Sequence, residues 1–297
     1  MIDCCGCASV QAERRRARIA LTFDNLGEAA EEELGETVAR GPHYSVTEVL
    51  PKILEVLGAT QLKATFFVEA VNAERYPQAL GALTGAGHEL GCHGWRHETF
   101  AAQTTERKRE ILAASTQALR ATGADVTGFR PPGGVLEPDD LALLNDAGLD
   151  WTSPAGTEVG QAAGVVCLPF AWPLIDAYFL AAALAPLRVR DGLPAAPVGA
   201  ELFGAAIERA IDNVVGVADE PLCLVLHPFL YTSEPRLSVL ADILQRLGRL
   251  RSSGRALVGP GREIAHDLRS RSTTLPPPAL DASSWAASDQ AATKELR

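Results

Sequence analysis

The chain has 297 residues and carries 37 Asp and Glu against 27 Lys and Arg, a formal net charge of −10. That balance excludes a surface built to neutralise nucleic-acid phosphates, which needs clustered Lys and Arg, and speaks against docking on an anionic membrane. Hydrophobic residues, at 47%, suffice for a large core, and the length suits one domain of α/β-barrel size.

The first residues, Met1 to Arg16, carry Cys4, Cys5 and Cys7 and then Arg14-Arg15-Arg16, with no apolar stretch behind them. This is read as an N-terminal arm, not an export signal, and the expected location is the cytoplasm. The cysteine spacing matches no zinc pattern, while Cys92, Cys167 and Cys223 sit in apolar segments as small hydrophobes. Ala17 to Phe23 is a short β run ending at Asp24, followed by a Glu-rich insert. Ser45 is expected to cap a helix reaching Leu57, with Glu48 at the capping-box position. Lys63 to Val68 is a strand apolar on both faces, and Tyr76 to Gly85 a helix. His88 to Cys92 is a strand, Thr104 to Thr122 a long amphipathic helix, and Gly128 to Arg130 a strand end cut off by Pro131-Pro132-Gly133-Gly134. A helix over Glu137 to Ala147 and short strands at Asp150 to Ser153 and Val165 to Leu168 follow. Val198 to Val217 is helical, Leu222 to Leu226 is a buried strand ending at His227, and Pro235 to Leu250 is the last strong helix. The stretch Leu168 to Val189 is the nearest approach to a membrane span, but Asp176, Arg188 and three prolines interrupt it. From about Ser270 the chain is rich in Pro, Ala, Ser and Thr, with Trp285 its one large anchor, and reads as a disordered or loosely packed tail.

Strand and helix alternate six or seven times, which predicts parallel strands joined by crossover helices. The polar residues Asp24, His93, Arg130, Asp150 and His227 are expected at carboxyl ends of strands, the rim where α/β folds place their sites. His93 and His97, four apart in Gly91-Cys-His-Gly-Trp-Arg-His97, can present nitrogen to one metal ion. Alone such a pair is often structural; here it has company. Zinc hydrolysis needs few protein ligands, an open position for water and a base beside that water. An amide also needs a proton donor for its leaving nitrogen, and His227 suits that role. Arg130 suits holding a carboxylate base in its ionised form.

Taken in order, Thr22-Phe-Asp-Asn25, His93-Gly-Trp-Arg-His97, Arg130-Pro-Pro-Gly-Gly134, Asp150-Trp151 and Val225-Leu-His227 resemble the five motifs of the polysaccharide deacetylases, the NodB-like enzymes of carbohydrate esterase family 4. The resemblance runs from about Ala17 to Ala265, which makes 17–265 the expected domain, with an arm at 1–16 and a tail at 266–297. It implies an α/β fold, an irregular (β/α)7 barrel. It implies Asp24 as general base, Arg130 as its holder, His227 as general acid and Asp150 as the residue orienting it. His93 and His97 would bind one divalent metal ion, zinc above all, with cobalt or nickel as alternatives. Trp151 would wall the acyl pocket, Gly133 would offer its N–H to the oxyanion, and Leu226 would contact substrate. Trp95 and Trp172, with Asp176 and Glu98, are weighed as site-shaping against plain core packing or loop capping.

Three positions depart from the family pattern. Asn25 stands where the family has an acidic metal ligand, so this site has one negative charge fewer. Gly133 replaces an aromatic and opens the pocket, and Val225 replaces a leucine. Segments such as Pro169-Phe-Ala-Trp-Pro-Leu-Ile-Asp-Ala-Tyr178 resemble cytoplasmic allantoinase-like and peptidoglycan-deacetylase-like members, which implies a homo-oligomer. The expected function is metal-dependent N-deacetylation of a small N-acylated sugar or related metabolite. The alternatives are a cyclic amide or ureide hydrolase and an inactive carbohydrate- or metabolite-binding protein.

Overall fold

A computed structural model describes residues 16–33, 42–216, 221–271 and 275–280. Cys4, Cys5, Cys7 and Trp285 lie outside these residues, as does most of the expected arm and tail. The described strands are β1 (Ala17–Asp24), β2 (Thr65–Val68), β3 (Glu89–Cys92), β4 (Gly128–Phe129), β5 (Trp151–Thr152), β6 (Gly160–Ala162), β7 (Val165–Cys167), β8 (Leu222–Leu226) and β9 (Ala256–Gly259). The helices between and after them are α1 (Ala29–Glu33), α2 (Leu50–Ala59), α3 (Asn72–Arg75), α4 (Pro77–Gly85), α5 (Thr105–Ala121), α6 (Asp140–Asp146), α7 (Asp176–Leu180), α8 (Ala185–Arg190), α9 (Ala200–Gly216), α10 (Glu234–Ser252) and α11 (Gly261–Arg271).

The strands form one sheet in the order β6-β7-β5-β4-β3-β2-β1-β8, all parallel except the β6-β7 hairpin. β1 is its hub and is buried at every position, as a strand covered on both faces must be. One edge pairs with β8 from Ile19 to Phe23. The other edge takes β2 at residues 22–24 and β9 at residues 17–20, because Ile19 and Ala20 already engage β8 on the opposite side. The sheet curls but does not close by strand pairing. Among the described residues, the one β-bridge across the seam between β7 and β8 is Ile175↔Val225. The irregular segment 168–199 fills that gap, beside a groove of about 1140 Å³ lined by residues such as Pro169, Leu174, Tyr178, Ala206 and Leu222. The extended stretch 275–280 closes on the rim of the groove, where Gln161 N–H donates to the Pro276 carbonyl at 2.8 Å.

Inside the curl the side chains stack in layers. Successive residues of a strand alternate faces, so positions two apart share the interior. The floor holds Thr65, Glu89 and Trp151: the Thr65 hydroxyl donates to Glu89 at 2.5 Å and the Trp151 indole N–H donates to Glu89 at 3.1 Å. The next layer is Phe67, whose ring lies 5.3 Å from Trp151 and 4.3 Å from the Arg130 guanidinium. Gly91 and Gly128 leave room for these rings; a Cβ at Gly91 would collide with Phe67, and one at Gly128 with Trp151. Asp24, Glu69, His93, Arg130 and His227 come after these, at the carboxyl ends of their strands.

The expected elements appear in order; β6 and β9 add to them, and two local features differ. Ser45 caps no helix; its hydroxyl accepts from Gly27 N–H at 3.0 Å and meets His43 Nδ1 at 2.8 Å, and the helix starts with a π-turn at Ser45–Val49. α11 runs past residue 265 to Arg271 with Ile264, Ala265 and Leu268 buried, so the packed chain extends beyond the expected boundary. Among the described residues no helix is long and apolar enough to cross a membrane.

Candidate active site

Asp24 and Thr22 are two apart on β1 and therefore share the interior face. Arg130, 1% exposed, leaves β4 and reaches both: Nη1 donates to the Thr22 hydroxyl at 2.8 Å and to Asp24 Oδ1 at 2.5 Å. Its Nη2 donates to the Ser153 hydroxyl at 2.8 Å and meets Cys223 Sγ at 3.2 Å. The guanidinium fork is thus held at both ends, and its charge faces Asp24 in a place nearly free of water. The other carboxylate oxygen of Asp24 has no donor among the described residues.

His93 follows β3 and is 3% exposed. Its Nδ1 lies 2.8 Å from the Arg130 carbonyl, which can only accept, so Nδ1 carries the hydrogen and Nε2 keeps a free lone pair. His97 lies in a tight turn, its ring 4.9 Å from that of His93. Glu98 secures the turn by accepting from the N–H groups of Trp95 and Arg96, both at 3.0 Å. His97 and Asn25 both have positive φ, 72° and 60°, a conformation uncommon outside glycine and often retained at functional sites. Burial pushes the His93 imidazole down to about 3, with the Arg130 and His227 charges adding to it against the bond to the Arg130 carbonyl. Burial and the His93 charge likewise push His97 down to about 3. Both rings are therefore neutral donors at neutral pH.

His227 leaves β8 and is clamped by Asp176, the first residue of α7. Asp176 Oδ2 accepts from His227 backbone N–H at 2.6 Å, and Oδ1 lies 2.6 Å from His227 Nδ1. Asp176 is fully buried and also accepts from Ala177 N–H at 2.7 Å. Burial opposes the charged His227 ring, but the Asp176 charge and hydrogen bond outweigh it, with Asp24 assisting, and the pKa rises above 6.5. Arg188 holds this clamp in place from behind. It is fully buried and donates to the carbonyls of Tyr178, Ala181, Pro194 and Ala195, so the turns around α7 have their exposed carbonyls satisfied. In metal-free protein, the ring protons of His93 and His97 should not titrate from about pH 5 to 8, whereas His227 should titrate above 6.5. Proton NMR of the imidazoles checks this; a mid-range transition at His93 would contradict it.

Two expected residues are not at the site. Asp150 does not orient His227. It precedes β5 at the amino end, the floor side of the sheet, and its half-exposed carboxylate lies 3.4 Å from Arg269 Nη1. Asp176 occupies the expected position, from a segment with no regular strand before it. Trp151 does not wall an acyl pocket: it is 1% exposed in the floor, and Phe67 and Arg130 lie between it and Asp24. The residue of this stretch that reaches the site is Ser153, directly after β5 and two positions beyond Trp151. The remaining expectations lie nearer the rim. Gly133 has φ 83°, and its N–H has no partner among the described residues. Trp172 packs edge-on against Phe170 at 5.1 Å and over Gly134. Trp95 is half-buried, with its carbonyl accepting from Val71 N–H at 3.1 Å, and Leu226 is 1% exposed in the core.

One residue absent from the expectations stands among these groups. Glu69, directly after β2, is fully buried and accepts from Asn25 Nδ2 at 2.7 Å and from Asn72 Nδ2 at 3.3 Å. Burial pushes its carboxyl up to about 8, against the Asn25 hydrogen bond and with the Asp24 charge adding to the rise. A polar residue closing an otherwise apolar strand, Thr-Phe-Phe-Val-Glu69, was the available signal.

Whether a divalent metal fits depends on donors. Two neutral imidazoles, one with its tautomer set by a backbone carbonyl, are ordinary zinc, cobalt or nickel ligands with the outer support such sites need. Asn25 gives Nδ2 to Glu69, which leaves its amide oxygen available as a candidate third donor. The described residues contain no cluster of three or more His, Cys, Asp or Glu able to hold a metal, so a third protein donor beside the two imidazoles would have to be a neutral oxygen such as that of Asn25. The set fits a borderline divalent ion.

Residues 11–151 match the family model for polysaccharide deacetylase. A peptidoglycan-N-acetylglucosamine deacetylase of Listeria monocytogenes is 31% identical over 158 residues, 53% of this chain, and the chain spans only 30% of that relative's length. A structure from Mycobacterium smegmatis assigned to the polysaccharide deacetylases superposes over 90% of this chain and 95% of that one, with 22% identity and a TM-score of 0.75. The PuuE allantoinase covers 86% of this chain and 91% of its own, with 19% identity and a TM-score of 0.65. The chain is thus similar to the polysaccharide deacetylases by sequence over residues 11–151 and by fold over most of its length. The curled α/β half-barrel is their NodB-type fold.

Proposed function

We propose that the chain hydrolyses the amide of a small N-acylated sugar or related metabolite, as a metal-dependent N-deacetylase. The observation that carries this is the convergence of two ion-paired couples, Asp24–Arg130 and His227–Asp176, on the neutral pair His93 and His97. A metal ion on those imidazoles would supply a Lewis acid for the acyl oxygen and acidify water.

The chain's own groups account for the proton traffic. Asp24, paired with Arg130, takes a proton from the attacking water through its other carboxylate oxygen. The Gly133 N–H donates to the oxygen that gains charge as the carbon becomes tetrahedral. His227, charged and aimed by Asp176, gives its proton to the amide nitrogen as the C–N bond breaks. One water is consumed, and a carboxylic acid and an amine leave. The acylated-sugar substrate is supported by the Listeria relative, whose name specifies an N-acetylglucosamine substrate. Asp24→Ala should lower turnover about 10²–10⁴-fold on whichever acetylated sugar or small amide is a substrate. Acetate and free amine should be assayed separately: equal rates for the two proteins would refute the mechanism, and ring opening of a cyclic ureide without acetate would redirect the substrate class.

A further inference from the structure

Three neighbouring strands bring Asn25, Glu69 and His93 to one edge of the rim. The register pairs Asp24 with Phe67 and Val68 with Cys92, so these residues leave β1, β2 and β3 side by side. Glu69 is fully buried, and no Lys, Arg or His among the described residues pairs with it. Its side-chain donors are two amides, Asn25 Nδ2 at 2.7 Å and Asn72 Nδ2 at 3.3 Å, the second itself tied to the Leu26 carbonyl at 2.5 Å, and the backbone N–H groups of Leu26 and Glu69 add to them. An acid taken out of water with no counter-charge is costly unless a cation arrives. The Asn25 atom facing Glu69 is the NH₂, which donates to Oε1, so the Asn25 oxygen is turned to the other side.

We propose that Glu69 is a positioning residue for a divalent cation at His93 and His97: it sets the Asn25 amide so that its oxygen is the third donor, and it brings the negative charge that Asn25 lacks. The inference rests on the reading that these histidines hold a cation. Asn25 and Glu69 then act as one divided ligand, with the contacting oxygen on β1 and the charge on β2. A ligand's hydrogen-bonded support commonly changes metal affinity 10- to 100-fold.

The test is cobalt binding by isothermal titration to metal-stripped full-length protein, with the melting temperature of each metal-free variant as a control for folding. Glu69→Gln should weaken cobalt binding about 10- to 100-fold with metal-free melting unchanged. The double variant Asn25→Asp/Glu69→Gln, which moves the carboxylate one strand over, should recover wild-type affinity; a merely structural role for Glu69 predicts no such recovery. Wild-type affinity in Glu69→Gln would overturn the proposal. So would a double variant that folds but binds about tenfold more weakly than wild type, and this arm stands even if Glu69→Gln alone does not fold. His93→Ala separates the two levels. If wild type binds no cobalt, or His93→Ala binds it equally well, the metal site and the inference fall together. If binding needs His93 but not Glu69, only the inference falls.

Discussion

Asp176→Asn should lower turnover about 10²–10⁴-fold, the usual contribution of a positioned acid or base, while Asp150→Asn leaves it unchanged. The reason lies in a count of acceptors. Asp176 takes two bonds from His227, one from the backbone N–H and one at Nδ1, on separate carboxylate oxygens at 2.6 Å each. An amide has one acceptor oxygen, so asparagine satisfies one of these groups and turns its own NH₂ against the other. The ring then loses its orientation and its counter-charge. The pH profile should move as well. His227 must be protonated to act as acid, so activity falls as pH rises through its raised pKa, above 6.5. Without the Asp176 charge, burial and Arg130 both depress that pKa, and the alkaline limb shifts to lower pH. The same sign holds for stability: a raised histidine stabilises the fold most below about pH 6.5 and loses that contribution as pH climbs through the folded value. Rate profiles for the two variants decide between Asp176 and Asp150; an unshifted profile in Asp176→Asn would contradict the clamp.

Arg130→Met should cost about 3–5 kcal/mol of stability in urea unfolding of metal-free protein, the usual penalty for stripping one partner from a buried ion pair. The loss leaves Asp24 buried at 4% exposure without a cation and leaves Ser153 without its donor. It also removes the guanidinium from the faces of Phe67 and Phe170, at 4.3 Å and 5.3 Å. Arg130→Lys should not restore the wild type, because a point-like ammonium cannot span Asp24 and Ser153 together. The double variant Arg130→Met/Asp24→Asn should recover part of the stability, since the uncompensated charge is then gone. If it were no more stable than Arg130→Met alone, the ion pair would not be the source of the cost. Activity is lost in all three, which separates the stability role of the pair from the chemistry of Asp24.

Most elements were legible because their signals are local. β1, β2 and β8 are apolar on both faces, and α5 has Thr104 as its N-cap, with the hydroxyl accepting from Arg107 N–H at 3.3 Å. β9 and α11 were not, since Ala-Leu-Val-Gly is too short to read and becomes a strand only by pairing with the amino half of β1. β6 is likewise a hairpin arm without a strong pattern. The site divides along the same line. Asp24, His93, His97, Arg130 and His227 follow or end recognisable strands in motifs of fixed spacing. Asp176 sits in the irregular segment across the seam, where no period announces which side chain turns inward.

The sequence by itself determined the strand-and-helix alternation, the acidic composition and the residues proposed for proton transfer and as imidazole donors, because hydrophobic period and motif spacing are properties of short stretches. Only the tertiary structure decided which carboxylate serves His227, that Trp151 lies in the floor, and that Glu69 stands behind Asn25. Each of those depends on strand direction and on register between segments about 40 to 75 residues or more apart, so that a shift of one residue in β5 turns a side chain to the other face, and the direction of β5 sends Asp150 to the floor side of the sheet.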